Sequence, residues 1–384
     1  MKFSFKNKER KVLGVLDIGS ASVKFLIIKK EETSLPRLQK ADKKIIILGK
    51  GLKDYERFGV FDGREFEQEV MKNAILDAIE EAEKEAGLEA REVILGLPAH
   101  IFKARIVSQE LKRKNPRKPV DKQEKEKICQ KVLKEAEKKG SEEFARESGI
   151  LPQEICFLSK QILQIKIDGY EVSEMLGFEG RVFEFKTLVT FLPKYYFENI
   201  RKLIEICGLS IFKIIHEVEG QIRFFTKTEN TLYLDIGSDF TQMFLVKNGV
   251  LNAVLEFGVG GKNFSQALSH KFGVLPKEAD GLLWRYQRSL LKEETRARLR
   301  EVFLREAQNW FYNLDDKLKH KFSFENIFYF GGAAYYPEIE DVLKKNYGLP
   351  LKIIEYKDFP NIEDKSKIKR SLQFIPTLFL TYAF

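Results

Sequence analysis

The sequence LDIGS occurs at residues 16–20 and again at residues 234–238 of this 384-residue chain. Each copy follows an apolar run and leads into another, at residues 23–28 and 241–246. This pattern predicts a strand, a tight glycine turn and a second strand, used twice along the chain. A duplicated hairpin of this kind indicates two related lobes that hold one nucleotide between them.

Each copy places an acidic residue, Asp17 or Asp235, at the end of a strand and beside a glycine turn. Backbone N–H groups of such a turn can point at phosphate oxygens, and the carboxylate can hold Mg²⁺ through water. A single Asp-x-Gly sequence is also ordinary turn chemistry. The repetition in like strand context is what favours a phosphate–metal site.

A third glycine segment follows the apolar run at residues 327–330. It reads Gly331-Gly332-Ala333-Ala334 and precedes a helix that is predicted to begin at Pro337. Glycines at the end of a strand allow a flat ring to approach the backbone closely. The alternative is a plain strand–helix turn.

Composition and charge restrict the class of protein. The apolar fraction of 43% and the aromatic fraction of 12% indicate a folded chain. Three widely spaced cysteines favour a reducing compartment without a disulfide framework, and we expect neither a signal peptide nor a membrane-spanning run. The net charge of +9 includes basic clusters at residues 2–11 and 112–118. These form either a solubilising surface or a peripheral contact with an anionic membrane, and we expect no nucleic-acid partner.

The remaining pattern alternates strands and helices, which indicates an α/β protein with duplicated lobes. We predict a helix over residues 62–87 and a charged helix from Asp121 to about Lys139. A polar segment at 140–149 and two separate strands at 155–158 and 162–167 follow. The lysine-rich stretch 112–149 is predicted to be an insertion into the first lobe.

With this order in view, the chain resembles the actin-like ATPase superfamily, and most of all the cell-division protein FtsA and the type IV pilus protein PilM. The Asp17 and Asp235 turns resemble the two phosphate loops, and residues 331–334 resemble the adenosine motif. Residues 150–154 and 177–180 resemble the end of the inserted 1C subdomain of FtsA. Residues 17–24 are similar to the first phosphate loop of PilM.

The resemblance implies an actin-like two-lobed fold built on duplicated RNase H-like domains, with an FtsA-type 1C (SHS2) insert. The implied boundaries are subdomain 1A at 1–91 and 181–228, insert 1C at 92–180, subdomain 2A at 229–262 and 325–370, subdomain 2B at 263–324, and a closing helix of the first lobe at 371–384. That last segment is apolar, and the alternative for it is a membrane anchor.

The resemblance also implies ATP and Mg²⁺ as ligands. Asp17 and Asp235 would hold Mg²⁺ through water. The expected nucleotide-binding residues are Asp17, Gly19, Ser20, Lys24, Asp235, Gly237, Ser238, Gly260, Gly261, Gly331, Gly332 and Ala333.

Several side chains near these loops have alternative interpretations. Lys24 either meets phosphate or is a solvated strand lysine. FtsA-like second phosphate loops usually carry more glycine where this chain has Ser238, Asp239 and Phe240. Asp239 therefore either weakens phosphate binding, unless Mg²⁺ or a lysine offsets its charge, or points into solvent. Gln221 and Gln242 are candidates for positioning an attacking water, and Glu278 and Asp280 are candidate ribose contacts.

The function that the resemblance implies is an ATP-binding, self-assembling scaffold of bacterial cell division. It would be cytoplasmic, at the inner face of the cytoplasmic membrane, and at most a slow ATPase. The alternative is a PilM-like scaffold of type IV pilus assembly that binds a short peptide of a membrane partner. The partners would be other copies of the chain and proteins of division or of the pilus. A small-molecule kinase with the same fold is a third hypothesis, but the sequence offers no convincing catalytic base for it.

Overall fold

The computed structural model describes residues 12–32, 43–55, 61–62, 65–224, 229–287, 289–319, 322–366 and 372–383. The basic cluster at residues 2–11 lies outside them. The strands are β1 (Val12–Ile18), β2 (Ser22–Glu32), β3 (Lys43–Asp54), β4 (Phe61–Asp62), β5 (Glu65–Phe66), β6 (Glu92–Gly96), β7 (Lys103–Lys112), β8 (Ile155–Ile167), β9 (Tyr170–Val172), β10 (Val182–Pro193), β11 (Ser210–Ile214), β12 (Thr231–Ile236), β13 (Thr241–Lys247), β14 (Val250–Phe257), β15 (Asn326–Phe330), β16 (Leu351–Ile353) and β17 (Ile362–Asp364). The helices are α1 (Gln68–Ala86), α2 (Lys122–Ser148), α3 (Lys194–Ile206), α4 (Glu217–Gln221), α5 (Gly261–Phe272), α6 (Pro276–Gln287), α7 (Glu293–Leu318), α8 (Pro337–Tyr347) and α9 (Ile375–Tyr382).

The described residues divide into two compact units. Unit 1 takes its residues from Met1–Leu97, Ile200–Glu217 and Glu355–Phe384. Unit 2 takes its residues from Pro98–Asn199 and Val218–Ile354. The subdomain boundaries given above stay a prediction.

Unit 1 is built on a mixed sheet with the strand order β11-β6-β1-β2-β3-β17. Helix α1 packs on β2 and β3, and α9 packs on β1 and β6. Helix α1 begins at Gln68, so the predicted start at residue 62 was wrong, because residues 61–62 instead pair with 65–66 as a short hairpin. Helix α9 is almost wholly apolar, and Leu378 and Phe379 have no exposed surface. This part of the C-terminal segment is therefore a core helix and not a membrane anchor.

Unit 2 contains two sheets. The first has the order β14-β13-β12-β15-β16, and helices α5 to α8 bury their apolar faces in its core around Phe264, Phe303 and Trp310. The second is antiparallel, with the order β7-β10-β8-β9, and α2 covers one of its faces. The two strands predicted at 155–158 and 162–167 are one strand, β8, whose pairing with β10 is interrupted by register shifts.

The predicted strand–turn–strand repeat is confirmed in both units. β1 and β2 pair antiparallel with Asp17 opposite Lys24, and β12 and β13 pair antiparallel with Asp235 opposite Gln242. In each unit a further strand, β6 or β15, pairs parallel with the first strand of the hairpin. The two acidic residues therefore occupy equivalent positions in two equivalent three-strand arrangements.

Helix α2 continues past the predicted end near Lys139, through the polar segment 140–149, and it ends only at Gly149. Gly140 lies inside the helix. A Cβ at Gly140 would sit 3.0 Å from Cγ2 of Val189 on β10. Because Gly140 has no Cβ, the helix can lie close to the sheet. This packing outweighs the low intrinsic helix propensity of glycine.

The basic cluster at residues 112–118 is not uniformly exposed, because Arg113 is part of the core. Its Nε and Nη2 donate to the two carboxylate oxygens of Glu124 at 2.9 and 2.7 Å. Its guanidinium also lies 5.2 Å from the ring centre of Phe183. Arg113 thus fixes the loop to the start of α2, and the solvated charges of this cluster are the lysines and arginine around it.

Candidate functional site

The first candidate phosphate loop is the turn between β1 and β2, which holds Gly19 and Ser20. The Gly19 N–H donates to the carbonyl of Ser22 at 2.9 Å, and Tyr55 Oη donates to the Gly19 carbonyl at 3.1 Å. The N–H of Gly19 is used to close the turn. Phosphate would therefore bind to other N–H groups of the same loop.

Asp17 is the penultimate residue of β1, and it is 8% exposed. Its Oδ2 accepts from Lys24 Nζ at 3.2 Å and from Thr377 Oγ1 of α9 at 2.7 Å. The Lys24 side chain is only 11% exposed, so it is not the solvated strand lysine of the alternative interpretation. Burial, together with the charge of Asp17, raises the pKa of Tyr55. The site around Asp17 is therefore enclosed and already partly charge-compensated.

The second candidate loop follows β12, and the glycine segment before α5 lies directly on it. The Gly237 N–H donates to the carbonyl of Phe240 at 3.0 Å. The N–H groups of Gly261 and Lys262 donate to the carbonyls of Gly237 and Ser238, both at 2.9 Å. A Cβ at Gly260 would lie 2.6 Å from the Gly237 oxygen, so only glycine permits this approach.

The third glycine segment, residues 331–334, packs against the end of β12, beside the second loop. Gly331 has φ = +97°, a left-handed conformation that favours glycine. A Cβ there would collide with Oδ1 of Asp235 and lie 2.6 Å from the carbonyl oxygen of Ile236. Ala333 is buried in the turn that also holds Gly332, and its Cβ would be 3.0 Å from a Cβ at Gly261. The tertiary structure of unit 2 thus gathers the candidate residues of three separate segments.

Gln242 faces Asp235 across the β12–β13 pair, as Lys24 faces Asp17 in unit 1. Gln242 is 4% exposed, and among the described residues its Nε2 has no hydrogen-bond partner. Side chains that are directly opposite on an antiparallel pair lie on the same face, within about 5 Å. A buried amide nitrogen that has no partner among the described residues and lies beside a carboxylate fits a site for a polar ligand or a bound water.

Asp239, the additional carboxylate in the second loop, is partly buried. Its side chain accepts from Ser238 Oγ at 3.3 Å and lies 3.7 Å from Lys262 Nζ. Burial raises the pKa of Asp239, while Lys262 acts in the opposite direction. Lys262 is the lysine that offsets this charge, and the local sequence did not identify it.

The surroundings of the other candidate residues, Gln221, Glu278 and Asp280, do not indicate a specific role for them. Gln221 ends α4 with no exposed surface, and neither of its amide atoms has a partner among the described residues. Glu278 accepts from the Leu275 N–H at 2.9 Å, so it caps helix α6. Asp280 accepts from Ser265 Oγ at 2.6 Å, and burial raises its pKa. None of these contacts shows that Glu278 or Asp280 binds a ribose.

The candidate cation ligands at these loops are two single carboxylates, Asp17 and Asp235. Within the described ranges, no group of three or more His, Cys, Asp or Glu side chains could hold a metal ion. Mg²⁺ normally takes one or two carboxylates and completes its shell with water and phosphate oxygens. The single carboxylates Asp17 and Asp235 therefore fit Mg²⁺ that is held through water with a phosphate, and not a closed protein cage.

The structure adds residues that sequence reasoning missed. Thr377 supports Asp17 from the far end of the chain, and the sequence signal was a threonine in a mainly apolar helix. Thr241 Oγ1 donates to the carbonyl of Val259 at 2.8 Å and accepts from Trp310 Nε1 at 2.9 Å. These contacts tie the second loop to the following glycine segment and to α7.

No protein-family model matches the chain. A cell division protein FtsA of Streptococcus pneumoniae is 22% identical over 276 residues, which are 71% of this chain and 55% of that protein. The chain thus spans about half the length of the curated relative that it matches.

The PilM–PilN type IV pilus biogenesis complex contains a chain that superposes with a TM-score of 0.66 at 17% identity. That superposition covers 97% of this chain and 98% of the other. MreB5 of Spiroplasma citri bound to ADP superposes more weakly, with a TM-score of 0.46 at 12% identity over 97% of this chain and 95% of that one, which carries no conclusion about the site.

The resemblance to actin-like ATPases of the FtsA and PilM type is confirmed at the level of the fold. The predicted actin-like α/β fold is confirmed with it. Among the helices that the structure describes, none has the length and apolar character needed to cross a membrane.

Proposed function

We propose that this chain binds ATP with Mg²⁺ at its two glycine turns and acts as a self-assembling actin-like scaffold. The observation that carries the proposal is the convergence of three segments in unit 2, where Gly331 and Gly260 leave room only for backbone beside Asp235 and Gly237. The same strand–turn–strand arrangement recurs at Asp17 in unit 1.

In this proposal each loop contributes its own groups to phosphate and cation binding. Asp17 and Asp235 hold Mg²⁺ through water, and the loops containing Gly19, Ser20, Gly237 and Ser238 face the phosphates. Lys24 offsets phosphate charge in the first loop. The remainder of the nucleotide is lined by a second set of residues: Gly260, Gly261, Gly331, Gly332 and Ala333. Bound Mg²⁺ would neutralise phosphate charge.

We propose a binding role with at most slow hydrolysis. Asp239 adds a partly buried negative charge to the second loop; Lys262, 3.7 Å away, offsets part of it, and the remainder opposes the approach of phosphate. Gln221 and Gln242, the candidates for positioning an attacking water, are both buried amides. Binding and assembly, and not turnover, would carry the function.

The cellular role that we propose is in bacterial cell division, at the inner face of the cytoplasmic membrane, because the sequence relative is an FtsA. The second candidate is a scaffold of type IV pilus assembly that binds a short peptide of a membrane partner. It is favoured by the full-length superposition on a chain of the PilM–PilN complex. Both roles are compatible with a 1C (SHS2) insert, which the order β7, α2, β8 and β10 supports. The exposed Lys112, Lys114 and Arg117 offer a contact with anionic lipid.

Calorimetric titration of ATP with Mg²⁺ tests the nucleotide site. We expect binding by the wild type that is lost or greatly weakened in Asp235→Asn and in Asp17→Asn, and also when EDTA replaces Mg²⁺. Asp341→Asn removes a carboxylate from a surface ion pair of unit 2 and serves as the matched control, with unchanged affinity. Equal affinity in wild type and Asp235→Asn, or no binding by the wild type, would refute the site.

The choice of role is tested with partners. Filaments on anionic vesicles in the presence of ATP would support the division scaffold. Binding of the cytoplasmic tail of a membrane pilus protein, encoded beside this gene, would support the pilus scaffold instead. Absence of both would refute the two roles and leave only the nucleotide site.

A further inference from the structure

The second loop departs from the glycine-rich form at Phe240, and the structure gives this residue a defined contact. Its ring stacks on the imidazole of His100, with ring centres 5.4 Å apart and an interplanar angle of 17°. His100 lies in the turn that leads into β7, the first strand of the four-stranded sheet of unit 2. Phe240 of the second loop thus contacts the turn that precedes the first strand of a different sheet.

A second contact joins the same two regions three residues further along. Lys103 Nζ lies 2.5 Å from Oε1 of Glu256, and the two side chains are 10% and 14% exposed. Glu256 lies near the end of β14, just before the glycine segment that rests on the loop. Partial burial strengthens such an ion pair relative to a surface pair.

Backbone hydrogen bonds connect the first of these contacts, at Phe240, to the turn itself. The Phe240 carbonyl accepts from the Gly237 N–H, and the Gly237 carbonyl accepts from the Gly261 N–H. A displacement of Phe240 would therefore change the hydrogen bonds that shape the loop. Glu256 pairs with Gln242, two residues after Phe240, so Lys103 contacts the strand that neighbours the one following the loop.

We propose that His100 and Lys103 are positioning residues for the second phosphate loop, acting through Phe240 and Glu256. The loop and the sheet β7-β10-β8-β9 then change conformation together. A ligand on the loop and a protein partner on that sheet would influence each other's affinity by the same factor. The name of the loop rests on the proposed nucleotide function, but the positioning contacts do not.

Hydrogen exchange of the nucleotide-free protein tests the positioning role directly. The readout is exchange at the amides of Gly237, Gly261 and Lys262, whose hydrogen bonds shape the loop. We expect His100→Ala to accelerate exchange there roughly three- to tenfold, since an aromatic pair contributes about that factor. His100→Phe retains a ring for stacking and should keep wild-type exchange.

Lys186→Met provides the matched control. Lys186 on β10 donates to Asn252 on β14 at 2.5 Å, so this variant breaks a different contact between the same two sheets. We expect it to leave the three loop amides unchanged. Equal exchange in wild type and His100→Ala would overturn the proposal, as would equal acceleration in His100→Ala and Lys186→Met, which would indicate general loosening.

Titration with ATP and Mg²⁺ then separates this proposal from the proposed function. Weaker binding in His100→Ala, restored in His100→Phe, would support both. Faster loop exchange in His100→Ala, combined with no ATP binding by the wild type, would support positioning and refute the nucleotide function. Unchanged loop exchange with normal ATP binding would refute positioning alone.

Discussion

Thr377 Oγ1 donates a 2.7 Å hydrogen bond to Oδ2 of Asp17, a residue 360 positions earlier in the chain. The carboxylate near the end of β1 is thus supported by a helix from the other end of the sequence. Lys24 donates to the same oxygen from the opposite strand of the hairpin. The first loop therefore depends on α9 for its shape as well as on its own turn.

The first prediction concerns this support. Thr377→Val keeps the side-chain shape but removes the donor, so a buried carboxylate loses one of two partners. We expect a loss of about 1–3 kcal/mol in the free energy of unfolding, measured by urea denaturation. Thr381→Val removes a buried hydroxyl of the same helix that donates to the Leu378 carbonyl, and ATP affinity should fall in the first variant but not in the second. Equal effects on ATP affinity would contradict a link to Asp17.

The second prediction concerns Gly331. Gly331→Ala forces a Cβ into a left-handed backbone and against Asp235, so we expect a loss of roughly 2 kcal/mol or more, measured as the shift in the urea midpoint. Gly281→Ala is the matched control, because a Cβ at Gly281 in α6 would meet nothing within 4 Å. That substitution should stabilise by about 0.5–1 kcal/mol. A harmless Gly331→Ala would mean that the glycine segments do not pack as described.

The third prediction concerns the charge of the second loop. Asp239→Asn removes a negative charge beside the expected phosphates while retaining the side-chain size. We expect ATP to bind about three- to tenfold more tightly, with the gain reduced at high salt because the effect is electrostatic. Calorimetry at two ionic strengths measures both. Weaker binding in this variant would show instead that Asp239 itself holds the cation.

The fourth prediction concerns pH. Burial, assisted by the charge of Lys103, lowers the pKa of His100 from 6.5 to about 4. Between these values the unfolded chain binds more protons than the native protein, so stability rises with pH through this window and is lost as pH falls from about 6.5 to 4. Relative to His100→Phe, which cannot titrate, the wild type should lose roughly 1–2 kcal/mol between pH 7 and pH 5. Parallel urea denaturation at both pH values measures this difference, and identical losses would place His100 in a solvated site.

Local patterns in the chain were sufficient for much of the fold. Alternating or continuous apolar runs on either side of the two Asp-Ile-Gly-Ser turns predict both hairpins, because strand formation and turn closure depend on residues within a few positions of each other. Helix ends with clear caps, such as Asp121 at the start of α2, were also predictable. The segment after Gly140 was not, because the close approach of that glycine to Val189 belongs to packing between distant parts of the sequence.

The sequence by itself determined the repeated strand–turn–strand units, the glycine segments and the candidate residues that they contain. Only the tertiary structure decided which residues support them: Thr377 beside Asp17, Lys262 beside Asp239, and His100 on Phe240. It also showed that Arg113, a member of the basic cluster at residues 112–118, is buried beside Glu124. The physical reason is that a turn is specified by the torsional preferences of neighbouring residues, whereas a buried charge or ring takes whichever partner the folded chain brings within contact distance.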